Sequence, residues 1–154
     1  DFSNAEFGSY ELLMCYYREL LINLVRKNSG KNNKVVANEE SRTMAQSSLS
    51  SLVGEYMKEN IYSNLTLDDV CSHFMLAKSQ LSHIFKNAVG KSPMEYYNEL
   101  KIKEAKKLMS RSGYSVSQTA QKLNYNNPYY FTKVFKKYKG ITPKKYRQNI
   151  QQKH

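Results

Sequence analysis

Two stretches of this chain, FKNAVGKSPMEY from Phe85 and FKKYKGITPKKY from Phe135, follow one pattern fifty positions apart, F-K-x-x-x-G-x-[S/T]-P-x-x-Y. Each half of the pattern has a physical reading. A glycine closing an apolar stripe supplies the left-handed residue that ends a helix. A Ser or Thr followed by Pro supplies an N-cap and a first helical residue for the next one. The correspondence extends beyond the twelve residues: Leu81, Ile84 and Phe85 match Phe131, Val134 and Phe135, and Lys86, Gly90, Pro93 and Tyr96 match Lys136, Gly140, Pro143 and Tyr146. The duplicated unit is therefore a short helix, a tight turn, a second helix, a glycine stop and a new helix start, the layout of a helix-turn-helix.

The punctuation around these copies predicts an all-α chain. Leu49, Leu52, Val53, Tyr56 and Met57 fall on one helical face. Thr66 caps a short helix ending near Phe74, with Asp68 and Asp69 in its first turn. Ala77 begins the next, with Leu81, Ile84, Phe85 and Ala88 as its stripe and Gly90 as its stop. Ser92-Pro93 opens a long helix to about Ser110, whose stripe is Tyr96, Leu100, Ile102, Ala105, Leu108 and Met109. Gly113 breaks it; Ser115 caps a short helix through Leu123, Asn126 caps another through Tyr138, Gly140 stops that one, and Thr142-Pro143 starts the last. The long helix spans about 25 Å at about 1.5 Å per residue. With its flanking turns it bridges two major-groove faces, which lie roughly 34 Å apart.

Composition divides the chain of 154 residues into three segments. Residues 1–27 form an amphipathic helical segment with Leu13, Tyr17, Leu20 and Leu24 on one face, broad enough to need a partner, either the C-terminal part of the same chain or a further chain or region. Residues 28–46 read as a linker, and 47–154 as the domain carrying the two helix-turn-helix units, at about 66–90 and 115–140. The first residue is Asp rather than Met, which suggests a fragment or a processed chain. Charge is equally segregated. Residues 1–77 carry seven Lys and Arg against ten Asp and Glu, a net of −3. Residues 78–154 carry seventeen against three (Glu95, Glu99 and Glu104), a net of +14. A basic excess written into patterned, helical sequence points to a polyanionic partner.

From about Ser47 to Ile150 the sequence resembles the DNA-binding domain of AraC/XylS-family transcriptional regulators. The stretch TAQKLNYNNPYYFTKVFKKYKGITPKKYR, from Thr119 to Arg147, carries the resemblance, and VCSHFMLAKSQLSHIFKNAVGKSP, from Val70, resembles the family's other helix-turn-helix. Departures are few. Cys71 replaces a small Ala and Tyr125 a Phe, while Met75 and Asn124 stand at the usual turn glycines. Asn tolerates a left-handed conformation and Met does not, which predicts an irregular first turn. Ala77 stands for the usual Ser cap, a loss of about 1 kcal/mol. The resemblance implies duplex DNA as partner, with a second copy of the chain, through the N-terminal helix, and RNA polymerase as further partners. It also implies a regulator acting in the cytoplasm, an activator or a repressor, with an N-terminal sensor and dimerisation region preceding the linker.

Candidate contacts follow from the helix faces. Opposite the apolar stripe of the first recognition helix stand Ser79, Gln80, Ser82 and His83, hydrogen-bonding groups suited to base edges. The equivalent face of the second carries Asn127, Tyr129, Thr132 and Lys133. Lys78, Lys86, Lys136, Lys137, Lys144 and Lys145 are placed for phosphates, and Tyr130 either contacts a phosphate or packs on the core. No arginine lies on either recognition face, so the direct code is modest and the electrostatic share large.

Other function classes find little in the residues. His73, His83 and His154 have no spacing that makes a metal site or a general base, and no nucleophile motif or phosphate loop occurs, so no cofactor and no enzyme are expected. His73 reads as structural. Cys15 and Cys71 read as buried free thiols rather than a disulfide. The stretch from Leu12 to Val25 is interrupted by Arg18, Glu19 and Asn23 and is too short and charged to span a bilayer. Two rivals remain: a nucleic-acid binder without sequence preference, and a basic helical module for protein contacts.

Overall fold

The computed structural model describes residues 35–111 and 113–152 together with Tyr17 and Leu20, and for residues 35–42 the backbone alone. Among these residues there are helices and no strands: α1 (Val35–Glu59), α2 (Leu67–Phe74), α3 (Lys78–Val89), α4 (Pro93–Arg111), α5 (Val116–Lys122), α6 (Pro128–Lys139) and α7 (Pro143–Gln151). The chain divides between Leu49 and Ser50 into two units, of which the second holds α2 to α7. In the first, helix α1 already begins at Val35, so part of the segment read as linker is helical. The reason is local: no Pro or Gly occurs from Val35 to Val53, and Ala37, Glu39, Glu40, Met44, Ala45 and Gln46 are good helix formers. The expected apolar face at Leu13, Tyr17, Leu20 and Leu24, and the thiol of Cys15, lie outside the described residues except for Tyr17, half-buried, and Leu20, 54% exposed.

The repeated motif is a corner between two helices, made the same way twice. Gly90 (φ 76°) and Gly140 (φ 72°) are left-handed, and each donates its N–H to a lysine carbonyl four residues back, Lys86 and Lys136, at 2.8 Å. Ser92 Oγ then accepts the Glu95 N–H at 3.3 Å, and Thr142 Oγ1 accepts that of Lys145 at 3.3 Å. Pro93 and Pro143 are buried behind these caps. The Phe that opens each motif meets the Tyr that closes it: Phe85 and Tyr96 have ring centroids 5.4 Å apart, Phe135 and Tyr146 5.5 Å, both inclined rather than stacked. Such inclined pairs add about 0.5–1.5 kcal/mol beyond the area they bury.

The turns inside the two units are also alike, with one difference. Met75 (φ 50°) and Asn124 (φ 54°) are both left-handed. Leu76 donates to Cys71 O and Tyr125 to Ala120 O, each at 2.9 Å, while Met75 donates to Ser72 O and Asn124 to Gln121 O, at 3.3 and 2.9 Å. This is the double bond pattern that closes a helix end. The first turn is thus regular, against the expectation from its Met. Two backbone hydrogen bonds and a side chain left 58% exposed hold a conformation that costs an L-residue about 1–2 kcal/mol. The second turn is one residue longer. Asn126 is inserted, and the cap of α6 is consequently Asn127 rather than the expected Asn126.

Packing corrects the expected core in places. Val53 and Met57 of α1, Val70 and Phe74 of α2, and Leu81 and Phe85 of α3 are buried, whereas Ala88 is exposed and Ile84 half-buried. Cys71 is a buried free thiol, and burial raises its pKa. His73 stacks on Tyr56 at 3.9 Å and meets Phe74 edge-on, a packing role as expected. The second core joins Ile102, Ala105, Leu108 and Met109 of α4 to Ala120 and Leu123 and to Phe131, Val134 and Phe135 of α6.

Helix α4, about 28 Å long at about 1.5 Å per residue, packs against α3, α5, α6 and α7. In its first half Tyr96 and Leu100 are only half-buried, while Tyr97 and Lys101 are buried. The shift arises because α4 is covered from two sides: Tyr96 faces Phe85 and Gly54, and the Tyr97 hydroxyl turns to the carbonyls of Asn60 and Ser63, at 2.8 and 2.9 Å. Lys101 is 3% exposed. Its Nζ donates to Ser63 O at 2.7 Å and Leu123 O at 2.9 Å, between the rings of Tyr97 and Tyr125, 5.0 and 4.9 Å away. Among the described residues no carboxylate pairs with it. Burial pushes its pKa down to about 8.

Two outcomes follow from these geometries. Met75→Gly should raise denaturant stability by about 1 kcal/mol, because glycine adopts the left-handed turn without strain; an unchanged midpoint would contradict the strain. For Lys101, folded and unfolded chains are both charged below pH 8. From about pH 8 toward 10.5 the folded chain has released a proton that the unfolded chain keeps, so this residue's contribution to stability rises with pH. Wild type should therefore gain stability relative to Lys101→Met between pH 7.5 and 9.5 in chemical denaturation, whereas parallel profiles would refute the assignment.

Candidate nucleic-acid interface

The first unit is built by a capping box at α2, where Thr66 Oγ1 accepts the Asp69 N–H and Asp69 Oδ2 accepts the Thr66 N–H at 2.8 Å. The Thr66 hydroxyl, which also donates to Asp69 Oδ2 at 2.6 Å, and then the Thr66 N–H hold the Asp69 carboxyl below its usual range. In the second unit Ser115 and Gln118 make the same reciprocal pair at α5, the N–H···O distances being 2.9 and 3.1 Å. The start of α3 is weaker, as expected from Ala77. Gln80 Oε1 accepts the Ala77 N–H at 3.4 Å, but alanine returns no bond.

With cores and turns matched, α3 and α6 present the same register to solvent. Ser79, Ser82, His83 and Lys86 on α3 correspond to Tyr129, Thr132, Lys133 and Lys136 on α6, all at i, i+3, i+4 and i+7, and all exposed except the half-buried Ser82 and Thr132. Lys78, Gln80, Asn127, Tyr130, Lys137, Lys144 and Lys145 are exposed as well. Tyr129 is 86% exposed, a large aromatic face with no core to fill. Tyr130 is 52% exposed and tilts against Tyr125 at 6.0 Å, so it supports the turn while keeping its edge in solvent.

Several of these groups already have partners. Asn127 Oδ1 accepts the Tyr129 N–H at 2.8 Å as the cap of α6, which leaves the amide nitrogen as its outward group. Thr132 Oγ1 donates to Pro128 O at 3.0 Å, so only its acceptor capacity faces out. His83 lies 3.4–3.5 Å from Asn87 Nδ2 through its two ring nitrogens. Lys78 pairs with Asp68 of α2 at 2.7 Å across the turn, and this pairing raises the lysine pKa.

Sequence reasoning did not foresee the acidic side of the surface. Glu95, in the first turn of α4, is held below its usual pKa by hydrogen bonds from Ser92 and then by the nearby charges of Lys137 and Lys86, one from each recognition helix. The Tyr138 hydroxyl of α6 also donates to Glu95 O, at 3.1 Å. Lys91 pairs with both carboxylate oxygens of Glu99 at 2.7 Å. The scarcity of acids beyond residue 78 was the available signal: each of three carboxylates among seventeen cations must sit close to several of them.

Residues 70–149 match a helix-turn-helix domain family, more than half of the chain. The transcriptional activator AarP of Providencia stuartii is 31% identical over 116 residues, which cover 75% of this chain and 86% of AarP. The chain belongs to the AraC/XylS family. The raffinose operon transcriptional regulatory protein RafR of Pediococcus pentosaceus is 33% identical over 99 residues, 64% of this chain and 36% of RafR, so the chain spans about a third of that relative. A DNA-binding transcriptional dual regulator from Escherichia coli K-12 superposes with a TM-score of 0.59 at 25% identity, covering 67% of this chain and 92% of that one. The domain is the AraC-type DNA-binding domain with its two helix-turn-helix units, a family of transcriptional regulators and not an enzyme class. None of the described helices is long and apolar enough to cross a membrane.

The Asp68–Lys78 pair is exposed and adds little to stability, yet it neutralises a cation at the first turn of α3. Asp68→Asn should tighten duplex binding about 2–5-fold at low salt and lose that advantage at high salt, in a fluorescence anisotropy titration. Unchanged affinity at low salt would place Lys78 away from the nucleic acid.

Proposed function

We propose that this chain is the DNA-binding part of a cytoplasmic transcriptional regulator that seats α3 and α6 in adjacent major grooves of one duplex. The observation that carries the reading is the duplicated register: two recognition helices on one spine turn the same four positions outward, three exposed and one half-buried in each, in a half-chain of net charge +14. Ser79, Gln80, Ser82 and His83 read base edges in one groove, and Tyr129, Thr132, Lys133 and the Asn127 amide in the next. Lys78, Lys86, Lys136, Lys137, Lys144, Lys145 and Tyr130 hold phosphates and set the register. Residues 1–27 pair with a second copy or close a preceding sensor region, and 47–154 are the DNA-binding domain. Activation follows from a contact between the bound domain and RNA polymerase.

Selection of duplexes from a random library tests this directly. Two short motifs about one helical turn apart are expected, and a single motif would leave one unit without a reading role. Retained DNA with no motif would favour binding without sequence preference. On the selected duplex His83→Ala should relax base preference within one motif, while Lys136→Ala should weaken selected and random DNA alike and reduce the log–log salt slope by about one. Equal effects of His83→Ala on selected and random DNA would remove it from the reading face.

A further inference from the structure

We propose that Lys101 is a positioning residue, the pin that fixes the second helix-turn-helix unit against the first and thereby sets the spacing of the two DNA motifs. The inference rests on the two-groove reading above and adds the device that makes it specific for spacing.

The Lys101 ammonium grips the chain on both sides of α4. Ser63 O, 2.7 Å away, belongs to the connection that leads into α2. Leu123 O, 2.9 Å away, is the last carbonyl before the left-handed turn at Asn124, four residues ahead of the Asn127 cap of α6. The grip is extended at each end. Tyr97, against the ammonium on one side, donates to the carbonyls of Asn60 and Ser63. Tyr125, on the other side, packs on Phe131 of α6 at 5.1 Å and on Tyr130 at 6.0 Å. A continuous path thus runs from the entrance of the first unit, through one side chain, to the first turn of the second recognition helix.

An ammonium suits this task better than an aliphatic side chain. The apolar contacts of Ile102, Ala105 and Leu108 with the second unit are non-directional and survive a small rocking of α5 and α6 over α4. Hydrogen bonds from a group 3% exposed do not, because movement strands a charged donor and a buried carbonyl together. Two further links across the units, the Tyr138 hydroxyl to Glu95 O and the Lys122 ammonium 5.4 Å over the Tyr62 ring, lie at the surface, where water replaces them readily. For two recognition helices tied to one duplex, a loosened joint leaves each helix able to bind its own motif but blunts the preference for one separation.

The test uses the full chain and the duplex selected above, together with duplexes carrying either motif alone and duplexes with one base pair added or removed between the motifs. Wild type should prefer the selected spacing by about tenfold or more. In Lys101→Met that preference should fall to within about twofold while affinity for each single motif changes by less than about twofold; Lys101→Arg should restore it. Residual dipolar couplings of the amides of α2 and α3 and of α5 and α6, measured without DNA, should fit one alignment tensor in wild type and require two in Lys101→Met. A methionine variant with wild-type spacing preference and a single tensor would overturn the proposal. So would a loss of single-motif binding in step with the pair, which marks a merely structural residue. If selection returns no paired motifs, the two-groove reading fails and the spacing role fails with it, while the dipolar couplings still decide whether Lys101 sets the orientation. Should the methionine variant not fold, Lys101→Gln takes its place in the same comparisons.

Discussion

One helix has to serve two cores, and that constraint organises the domain. The surface of α4 is shared between α3 on one side and α5, α6 and α7 on the other, so few of its positions can be given to water. Tyr96 and Tyr97 are neighbours in sequence and face opposite tasks, one closing the first corner with Phe85 and the other reaching the carbonyls of Asn60 and Ser63. Where the two tasks meet, the chain buries Lys101 and answers its charge with two carbonyls and two aromatic rings. A buried cation without a carboxylate is costly, which is consistent with its pKa falling to about 8. That cost accompanies a directional joint that apolar packing does not provide.

The repeated corner explains how α3 and α6 come to be equivalent. A left-handed glycine, a hydroxyl cap, a buried proline and an inclined Phe–Tyr pair set the angle at which each recognition helix leaves for the next helix. Because the corner is made by short-range bonds, it is reproduced wherever its twelve residues recur. The turns preceding the recognition helices are reproduced less strictly. The second carries an additional residue, Asn126, and is capped by Asn127, whereas the first is capped by an alanine that offers no acceptor. The second recognition helix thus starts with its cap satisfied, and the first relies on Gln80 and on the ion pair of Lys78 with Asp68.

Most of the fold and the outward faces of the candidate site could be read along the chain. Helix starts at Thr66, Ser92, Ser115 and Thr142 and stops at Gly90, Gly113 and Gly140 are local chemistry, and each lies where its residue type placed it. The outward faces of α3 and α6 were legible because their periodicity follows from the buried Leu81, Phe85, Phe131 and Phe135. The partners of those faces were not. Glu95 lies near Lys86 of the preceding helix and near Lys137, which is distant in sequence, and Asp68 reaches Lys78 only because the intervening turn is tight. Lys101 left a faint trace, since it falls on the Tyr97–Ala105 face at four-residue spacing, but a lysine in an apolar stripe usually extends its charged end to water.

What the sequence by itself determined, then, is everything carried by bonds within a few residues: the boundaries of α2 to α7 to within a residue or two, the duplication, the exposed recognition faces and the segregation of charge. A capping hydroxyl or a left-handed glycine acts on its own neighbours, so its effect is visible in one dimension. The tertiary structure alone decided which buried group would be charged, which lysines would meet a carboxylate, and that Met75 would hold the strained turn. These depend on carbonyls, rings and charges that approach only when α4 has both units folded against it, and no local pattern encodes that meeting.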